Sequence, residues 1–419
     1  MKNTIKKITP NSLLSAYHFL LSFLGAVFYG FPSRKLKIIG VTGTNGKSTT
    51  VFLINQILEK AGYKTASSSS IYFTTNGDIE LNNLKMTMPG RFKIHKFLRR
   101  AVEAGCQYAV LEITSEGIKQ HRHRFIGFDT AVFTNLTPEH IESHGGFENY
   151  KKAKGKLFQS LKPNGKSIVN LDDPNSHYFL RFAAKEKWGY TLQQGAAPVA
   201  GAAPVVKGEK IEIKKSYSSF FINNSLFIIH LLGKFNISNA LAAIAVGTAE
   251  GISLEKMKLA LGEIKGIPGR LEIVTKELFT VIVDYAHTPD ALEKVYQTAR
   301  KMSDGKLIGV LGSAGGGRDK WKRPEMGKIA EKYLDMIIIT NEDPYDEDPS
   351  QIISEIVEGI KNKEVKKIID RREAIRYALK IAEKDDVVII TGKGCELWMC
   401  VEGNKKIPWD DRKVVKEEI

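Results

Sequence analysis

LKIIGVTGTNGKSTT, residues 36–50, is the stretch whose reading decides the fold. Residues 36–41 form an apolar, β-branched run with the length of a buried strand. The run breaks at Gly43-Thr-Asn-Gly-Lys-Ser, and Val51, Ile54, Ile57 and Leu58 follow at helical spacing. Strand, glycine-rich turn and helix start are the context of a phosphate-binding loop. Glycines let backbone N–H groups close on a polyphosphate, and the helix N-terminus adds its dipole. In such a loop Lys47 reaches the terminal phosphates and the Ser48 hydroxyl sits on Mg²⁺. The residue five before Gly46 is Val41, one position short of the strict GxxxxGK[ST] spacing, so a plain glycine turn in a parallel sheet is the competing reading.

Outward from that loop, 419 residues predict two or three domains. Hydrophobic content of 42% with 26% charged residues is that of a globular protein. A formal charge of +15 suits anionic partners: nucleotides, acidic metabolites, an anionic membrane surface or nucleic acid. The local basic clusters are RFKIHKFLRR (91–100) and KQHRHR (119–124). No recognition-helix, RNP or zinc-finger pattern accompanies them, which favours phosphate handling over nucleic acid. Cys106, Cys395 and Cys400 form no CxxC pair, as expected in a reducing cytoplasm.

Along the chain, residues 12–31 (SLLSAYHFLLSFLGAVFYGF) follow Lys2, Lys6 and Lys7 and resemble a signal or an anchor. There is no small-residue cleavage site, and His18, two tyrosines and several serines interrupt the run. A packed or membrane-grazing helix is expected rather than a span. Residues 36–265 alternate strand and helix, with buried strands at 108–113 and 130–134, which predicts a parallel, helix-flanked sheet. QQGAAPVAGAAPVV (193–206) reads as a surface loop or linker, and 241–249 as an alanine-rich helix. Gly266-Ile-Pro-Gly269 is the boundary. Strands at 280–283, 306–311, 336–340 and 386–391 then predict a second, Rossmann-like α/β domain. The expected fold class is α/β: an N-terminal helical piece (1–35), a P-loop domain with a mostly parallel sheet (36–267) and a C-terminal domain (268–419).

Glu112 ends one strand and His140 follows another, where ligand crevices form; beside nucleotide phosphates they would complete a Mg²⁺ shell. Taken alone, Glu112 equally reads as a capping carboxylate, His140 as a loop histidine and Lys154 as a solvated helix lysine. In the second half, VDYAHTPDAL, GSAGGGRDKWKRPEMG, TNEDPYDEDP and TGKGCE each follow a strand. Singly they are ordinary polar turns; together they predict a second binding rim facing the first domain, with ATP on one side and a co-substrate on the other.

The segments GTNGKST, NLTPEHIESHG, GKFNISNALAA, GIPGRLE, VDYAHTPDALE, GSAGGGRDKWKRPEMG and GKGCE, in this order, resemble the Mur ligase family. The likeness runs from about residue 28 to the C-terminus and is strongest to its MurE-type tripeptide synthetases. It implies an ATP-dependent amide-bond ligase of peptidoglycan precursor synthesis, working through an acyl phosphate. By that resemblance Thr44, Asn45, Gly46, Lys47, Ser48 and Thr49 hold the ATP phosphates, with Lys47 catalytic. Ser48, Glu112, His140 and a carbamylated Lys154 hold Mg²⁺; His140 and Lys154 are also catalytic. Asn236 and Asn239 lie near adenine, and Arg270, Asp284 and His287 complete the ATP site. Thr87, Pro89, Thr114 and Ser115 contact the muramoyl peptide; Asp343, Gly392 and Glu396 contact substrate. The partners implied are the muramoyl peptide and an amino acid, with no nucleic acid, a monomeric chain and possible peripheral membrane contact.

Two departures follow from the resemblance. Only about 35 residues precede the P-loop strand, matching just the final helix of the family's UDP-binding domain. The Asp-Asn-Pro-Arg motif of diaminopimelate-adding members falls on Glu342-Asp343-Pro344-Tyr345, so the arginine fork for a distal carboxylate is lost and lysine or another amine gains weight. The alternatives are a related ligase acting on a lipid-linked or folate-like carboxylate, and a non-catalytic nucleotide-binding protein. Intact Lys47, Glu112, His140 and Lys154 argue against the last.

Overall fold

The structure, a computed structural model, describes residues 11–84, 86–193 and 201–419. Lys2, Lys6, Lys7 and part of the 193–206 stretch lie outside the described residues.

The central sheet has nine strands: β1 (Lys37–Thr42), β2 (Thr65–Ser68), β3 (Tyr72–Thr75), β4 (Asp78–Leu81), β5 (Tyr108–Glu112), β6 (Phe128–Phe133), β7 (Leu161–Asn170), β8 (Glu186–Thr191) and β9 (Val205–Lys207). Their order is β4-β3-β2-β5-β1-β6-β7-β8-β9, with only β3 running against the others. Both faces are covered, as a parallel sheet requires. Along β1 the side chains alternate: Ile39 and Val41 join the core beneath the Lys47–Lys60 and Lys234–Ala249 helices. Ile38 joins the opposite core, beneath the Arg91–Glu103 and Phe147–Gln159 helices.

One expectation is corrected here. Val205 and Val206, read as the end of a surface loop, form β9, which pairs in parallel with β8. Their β-branched side chains suit the open edge of β8, and Val206 is buried in the core. The Ala/Pro/Gly composition of the preceding residues hid them.

A three-stranded antiparallel sheet follows: β10 (Glu209–Ile213), β11 (Ser218–Ile222) and β12 (Ser225–Ile229). The second large sheet comprises β13 (Glu272–Thr275), β14 (Thr280–Asp284), β15 (Leu307–Leu311), β16 (Met336–Ile339), β17 (Val365–Lys367) and β18 (Val387–Thr391). Its order is β13-β14-β18-β15-β16-β17, with only β13 antiparallel. The hairpin of β19 (Trp398–Val401) and β20 (Lys405–Pro408) closes the chain with the Asp411–Glu418 helix.

The N-terminal helix spans Asn11–Phe28 and stops at Gly30 and Phe31, both left-handed (φ 68 and 50). It packs on the Arg91–Glu103 helix. No helix among the described residues is long and apolar enough to cross a membrane.

Candidate active site

β1 lies between β5 and β6, so the loops leaving the carboxyl ends of all three open on one crevice. These loops carry the glycine-rich turn, Glu112 and the approach to His140. Gly46 is left-handed (φ 80), and a Cβ there would stand 2.3 Å from Asn239 Oδ1, so only glycine fits. The loop is pinned by Thr44 N–H donating to Asn135 O and Asn45 N–H to Asn135 Oδ1, both at 2.8 Å. The Lys47–Lys60 helix starts at this point, its first-turn N–H groups lacking intrahelical acceptors.

Lys47 Nζ donates to Thr44 O at 2.8 Å and lies 3.8 Å from Glu112 Oε1. Burial lowers its pKa against the opposing pull of Glu112. Ser48 Oγ donates to Glu112 Oε2 at 2.7 Å and meets Ser70 Oγ at 2.7 Å. Lys154 arrives on the Phe147–Gln159 helix, which closes on β1 because Gly40 has no Cβ; one there would stand 2.8 Å from Leu157 Cδ1. Lys154 is 2% exposed, its Nζ 2.6 Å from Gly43 O and 4.4 Å from the Tyr150 ring centre. Burial first, then repulsion from Lys47, lowers its pKa well below that of an ordinary lysine. His140 is left-handed (φ 56), and burial, aided by Arg318 and Lys154, pushes its imidazole down to about 2.

The C-terminal domain roofs this crevice. Arg270 Nη2 donates to Ser70 Oγ at 3.3 Å, and its guanidinium lies 4.5 Å from the Tyr285 ring centre. Asp284 accepts N–H groups from Leu271 at 2.7 Å and Ala286 at 2.6 Å, which makes it an organiser of two loops; burial raises its pKa. His287 Nδ1 donates to Tyr285 O at 2.9 Å, and burial, aided by Lys322, pushes its pKa down to about 3. Asn45 Nδ2 donates to Asp290 Oδ2 across the cleft at 2.8 Å.

The cleft encloses about 700 Å³, a volume suited to a small-molecule site. It is lined by Thr44 through Thr49, Glu112, His140, Lys154, Asn236, Asn239, Arg270, Asp284 and His287, and also by Thr87, Thr114 and Ser115. Pro89, Asp343, Gly392 and Glu396 do not line it. Pro89 is buried ahead of the Arg91–Glu103 helix. Asp343 and Glu396 both pair with Lys393, and Gly392 packs on Glu342, so these form a separate polar cluster. Tyr285 OH, donating to Glu396 Oε1 at 3.3 Å, connects that cluster to the cleft. Of the four polar loops expected to form the second rim, those after β14 and β15 therefore reach the cavity, through His287 and Arg318, while those after β16 and β18 pair with each other.

Ser70, Glu139, Tyr150 and Lys322 were not anticipated. Glu139 was detectable as the residue before His140, and Lys322 lies inside the basic loop already singled out. Ser70 belongs to a serine run without any distinguishing pattern.

A phosphate loop at the end of a parallel sheet, roofed by a second α/β domain, defines the class of two-domain enzymes that activate a substrate with a nucleoside triphosphate. The family model for the Mur ligase middle domain matches residues 41–247, and that for the Mur ligase glutamate ligase domain matches residues 269–394. The chain is 40% identical over 405 residues to a UDP-N-acetylmuramoyl-L-alanyl-D-glutamate--2,6-diaminopimelate ligase of Syntrophomonas wolfei, spanning 95% of this chain and 81% of the relative. It is 38% identical over 416 residues to a UDP-N-acetylmuramyl-tripeptide synthetase of Roseiflexus sp., spanning 93% and 80%. A solved structure of a UDP-N-acetylmuramoyl-L-alanyl-D-glutamate--2,6-diaminopimelate ligase aligns with TM-score 0.61 and 31% identity over 92% of this chain and 78% of that one. The chain belongs to the Mur ligase family, in its MurE-type branch.

Proposed function

We propose that this chain is an ATP-dependent amide-bond ligase that adds an amino acid to the carboxylate of a muramoyl peptide in peptidoglycan precursor synthesis. The observation that carries this reading is the cleft itself: Lys47, Ser48 and Lys154 on one wall face Arg270 and His287 of the other domain. The acceptor carboxylate attacks the γ-phosphoryl group and ADP leaves. The amino group then attacks the acyl phosphate, and the tetrahedral intermediate expels inorganic phosphate. Lys47 and the first-turn N–H groups hold the phosphates and stabilise the charge that develops on them. Arg270 and His287 close on the nucleotide from the other domain, Asn236 and Asn239 border the adenine, and closure excludes water from the acyl phosphate.

Ser48, Glu112 and neutral His140 would hold Mg²⁺, with Lys154 joining as a carbamate. The Ser48 hydroxyl and Glu112 carboxylate, 2.7 Å apart, are the hard oxygen donors this ion prefers. Among the described residues no group of three or more His, Cys, Asp and Glu forms a cage; Mg²⁺ is commonly held by one or two carboxylates plus substrate phosphates. When bound, the ion neutralises charge on the phosphoryl group being transferred. Thr87, Thr114 and Ser115 face the acceptor, with buried Pro89 shaping the loop that carries Thr87, and Asp343, Gly392 and Glu396 order the amine side from the neighbouring polar cluster. The Syntrophomonas relative and the solved structure named above are ligases of UDP-N-acetylmuramoyl-L-alanyl-D-glutamate and 2,6-diaminopimelate. Tyr345 in place of an arginine makes lysine a competitor for the amine here. The chain acts as a cytoplasmic monomer, and the contact it makes with a membrane surface is argued below.

The test is phosphate release from ATP with UDP-N-acetylmuramoyl-dipeptide, comparing lysine, diaminopimelate, ornithine and no amine. Amine-dependent release with a product of matching mass is the expected result. A protein that binds ATP but responds to no amine would sink the reading.

A further inference from the structure

The Asn11–Phe28 helix is packed with its small and polar side inward. Ser15 Oγ bonds His121 Nε2 at 2.8 Å, Ser22 Oγ donates to Arg124 O at 3.3 Å, and His18 pairs with Arg91. Gly25 lies against the Arg91–Glu103 helix, where a Cβ would stand 3.3 Å from Arg91 O. The opposite side carries Leu13, Tyr17, Leu20, Leu24, Val27 and Phe28, spaced by four, three, four, three and one residues. All six are between 44% and 74% exposed. A helix on a water-facing surface turns such a stripe toward the core. An exposed contiguous apolar stripe marks an interaction surface.

The surroundings indicate what covers it. Arg34 and Lys35 follow the helix C-terminus, and the Phe28 ring lies 6.4 Å from that of Phe92, beside Lys93 and Lys96. Arg124 flanks the other side through Phe125, whose ring packs on Phe19 and Phe23. These five cations are exposed, and none makes an ion pair among the described residues. An apolar stripe within a basic collar is the signature of a helix lying in the plane of an anionic bilayer surface. Eighteen residues, about 27 Å at 1.5 Å per residue, can lie along the headgroups, with Tyr17 and the lysine stems at the boundary. A second copy is disfavoured, because a two-fold contact would press two basic collars together on chains of formal charge +15.

We propose that the outward face of the Asn11–Phe28 helix docks the protein peripherally on an anionic lipid bilayer. The proposal does not rest on the ligase reading, and its vesicle-binding assay uses no substrate. The full chain is sedimented with vesicles of phosphatidylcholine alone or with about a third phosphatidylglycerol, at low and high salt. Anionic vesicles should bind at least about tenfold more tightly than neutral ones, with salt weakening the binding. Leu20→Asn with Leu24→Asn, both at exposed positions, should cut binding about tenfold with ATP turnover in solution unchanged. Lys93→Glu with Lys96→Glu should lower it several-fold and flatten the salt dependence, a second route that leaves the helix itself intact. Three results would overturn the proposal. One is failure to bind anionic vesicles at low salt. Another is undiminished binding by the Leu20/Leu24 variant, which would mean adsorption by net charge alone. The third is a dimer in gel filtration that the Leu20/Leu24 variant dissolves while vesicles are ignored.

Discussion

Lys322 of the C-terminal domain reaches across the cleft to Glu139 of the central domain, Nζ to Oε1 3.2 Å, with the two side chains 2% and 5% exposed. The same ammonium donates to His287 O at 3.0 Å. Three residues earlier, Asp319 accepts the N–H groups of Ile141 at 3.0 Å and Glu142 at 3.2 Å. His140, in its left-handed conformation, is thus gripped on both flanks by the opposite domain, and closure and placement of His140 are a single event.

Lys322→Met tests this coupling. Removing one partner of a buried pair costs about 3–5 kcal/mol, because the remaining carboxylate is left uncompensated. The pair lies between domains, so opening the cleft rehydrates Glu139 and the fold of each domain is spared. The expected outcome is a loss of roughly a hundredfold or more in kcat/KM with a larger radius of gyration by solution scattering. Glu139→Gln, which keeps an acceptor, should lose less. Unchanged scattering and turnover in Lys322→Met would refute the latch.

Lys47→Ala addresses the phosphate loop. The amine points into the cleft, where among the described residues it meets only Thr44 O and the Glu112 carboxylate, so its removal leaves the strand and helix in place. Turnover should fall by about a thousandfold, the scale of losing a preorganised cation at a transferring phosphoryl group. A melting temperature close to that of the parent would show that the loss is chemical.

The sequence made the central β-strands legible because β1, β5 and β6 are continuous apolar runs buried on both faces, with a glycine-rich loop or a lone charge at their ends. It did not reveal β4 or β10, exposed strands at sheet edges where pairing rather than burial defines the strand, nor β3, four half-buried residues between β4 and β2 that are too few to show a pattern. Lys47, Ser48 and Glu112 were readable from local pattern. Lys154 was not: its burial depends on Gly40, more than a hundred residues away, admitting the helix that carries it. Glu139 and Lys322 acquire meaning only from domain closure, which no local spacing encodes.

His95 and His123 give the protein a predictable acid sensitivity. They are 0% and 2% exposed, and both ring nitrogens of His95 lack partners among the described residues. Burial pushes His95 down to about 4; burial, then Arg124, pushes His123 down to about 3. Above the ordinary value of about 6.5 both states are neutral and stability is flat in pH. Below it the unfolded chain takes up protons that the folded chain refuses, so stability falls as pH drops. Each histidine contributes about 1.4 kcal/mol per pH unit, roughly 4 kcal/mol for the pair between pH 6.5 and 5. Urea unfolding at pH 7.5, 6 and 5 measures the slope, and because burial holds His140 and His287 neutral in the same way, His95→Leu should reduce it by about a quarter. A stability independent of pH over this window would contradict the assignment.

Lys154 tests the carbamate directly. Its amine faces a carbonyl at 2.6 Å and an aromatic ring, and burial disfavours its ammonium form. The nitrogen of a neutral amine attacks the carbon of CO₂, loses a proton and becomes an anionic carbamate, turning a cation site into a carboxylate-like one. Stripping bicarbonate should therefore lower turnover several-fold or more, and restoring it should recover the rate. With ¹³C-bicarbonate, a carbamate resonance should appear in the parent and be missing in Lys154→Ala, which also loses turnover. That variant leaves Gly43 O without its donor, at a cost of about 1–3 kcal/mol, so a modestly lower melting temperature is expected alongside a folded spectrum. Equal rates with and without CO₂, and no resonance that depends on Lys154, would remove the carbamate from the mechanism and leave this lysine as a buried tether of the phosphate loop.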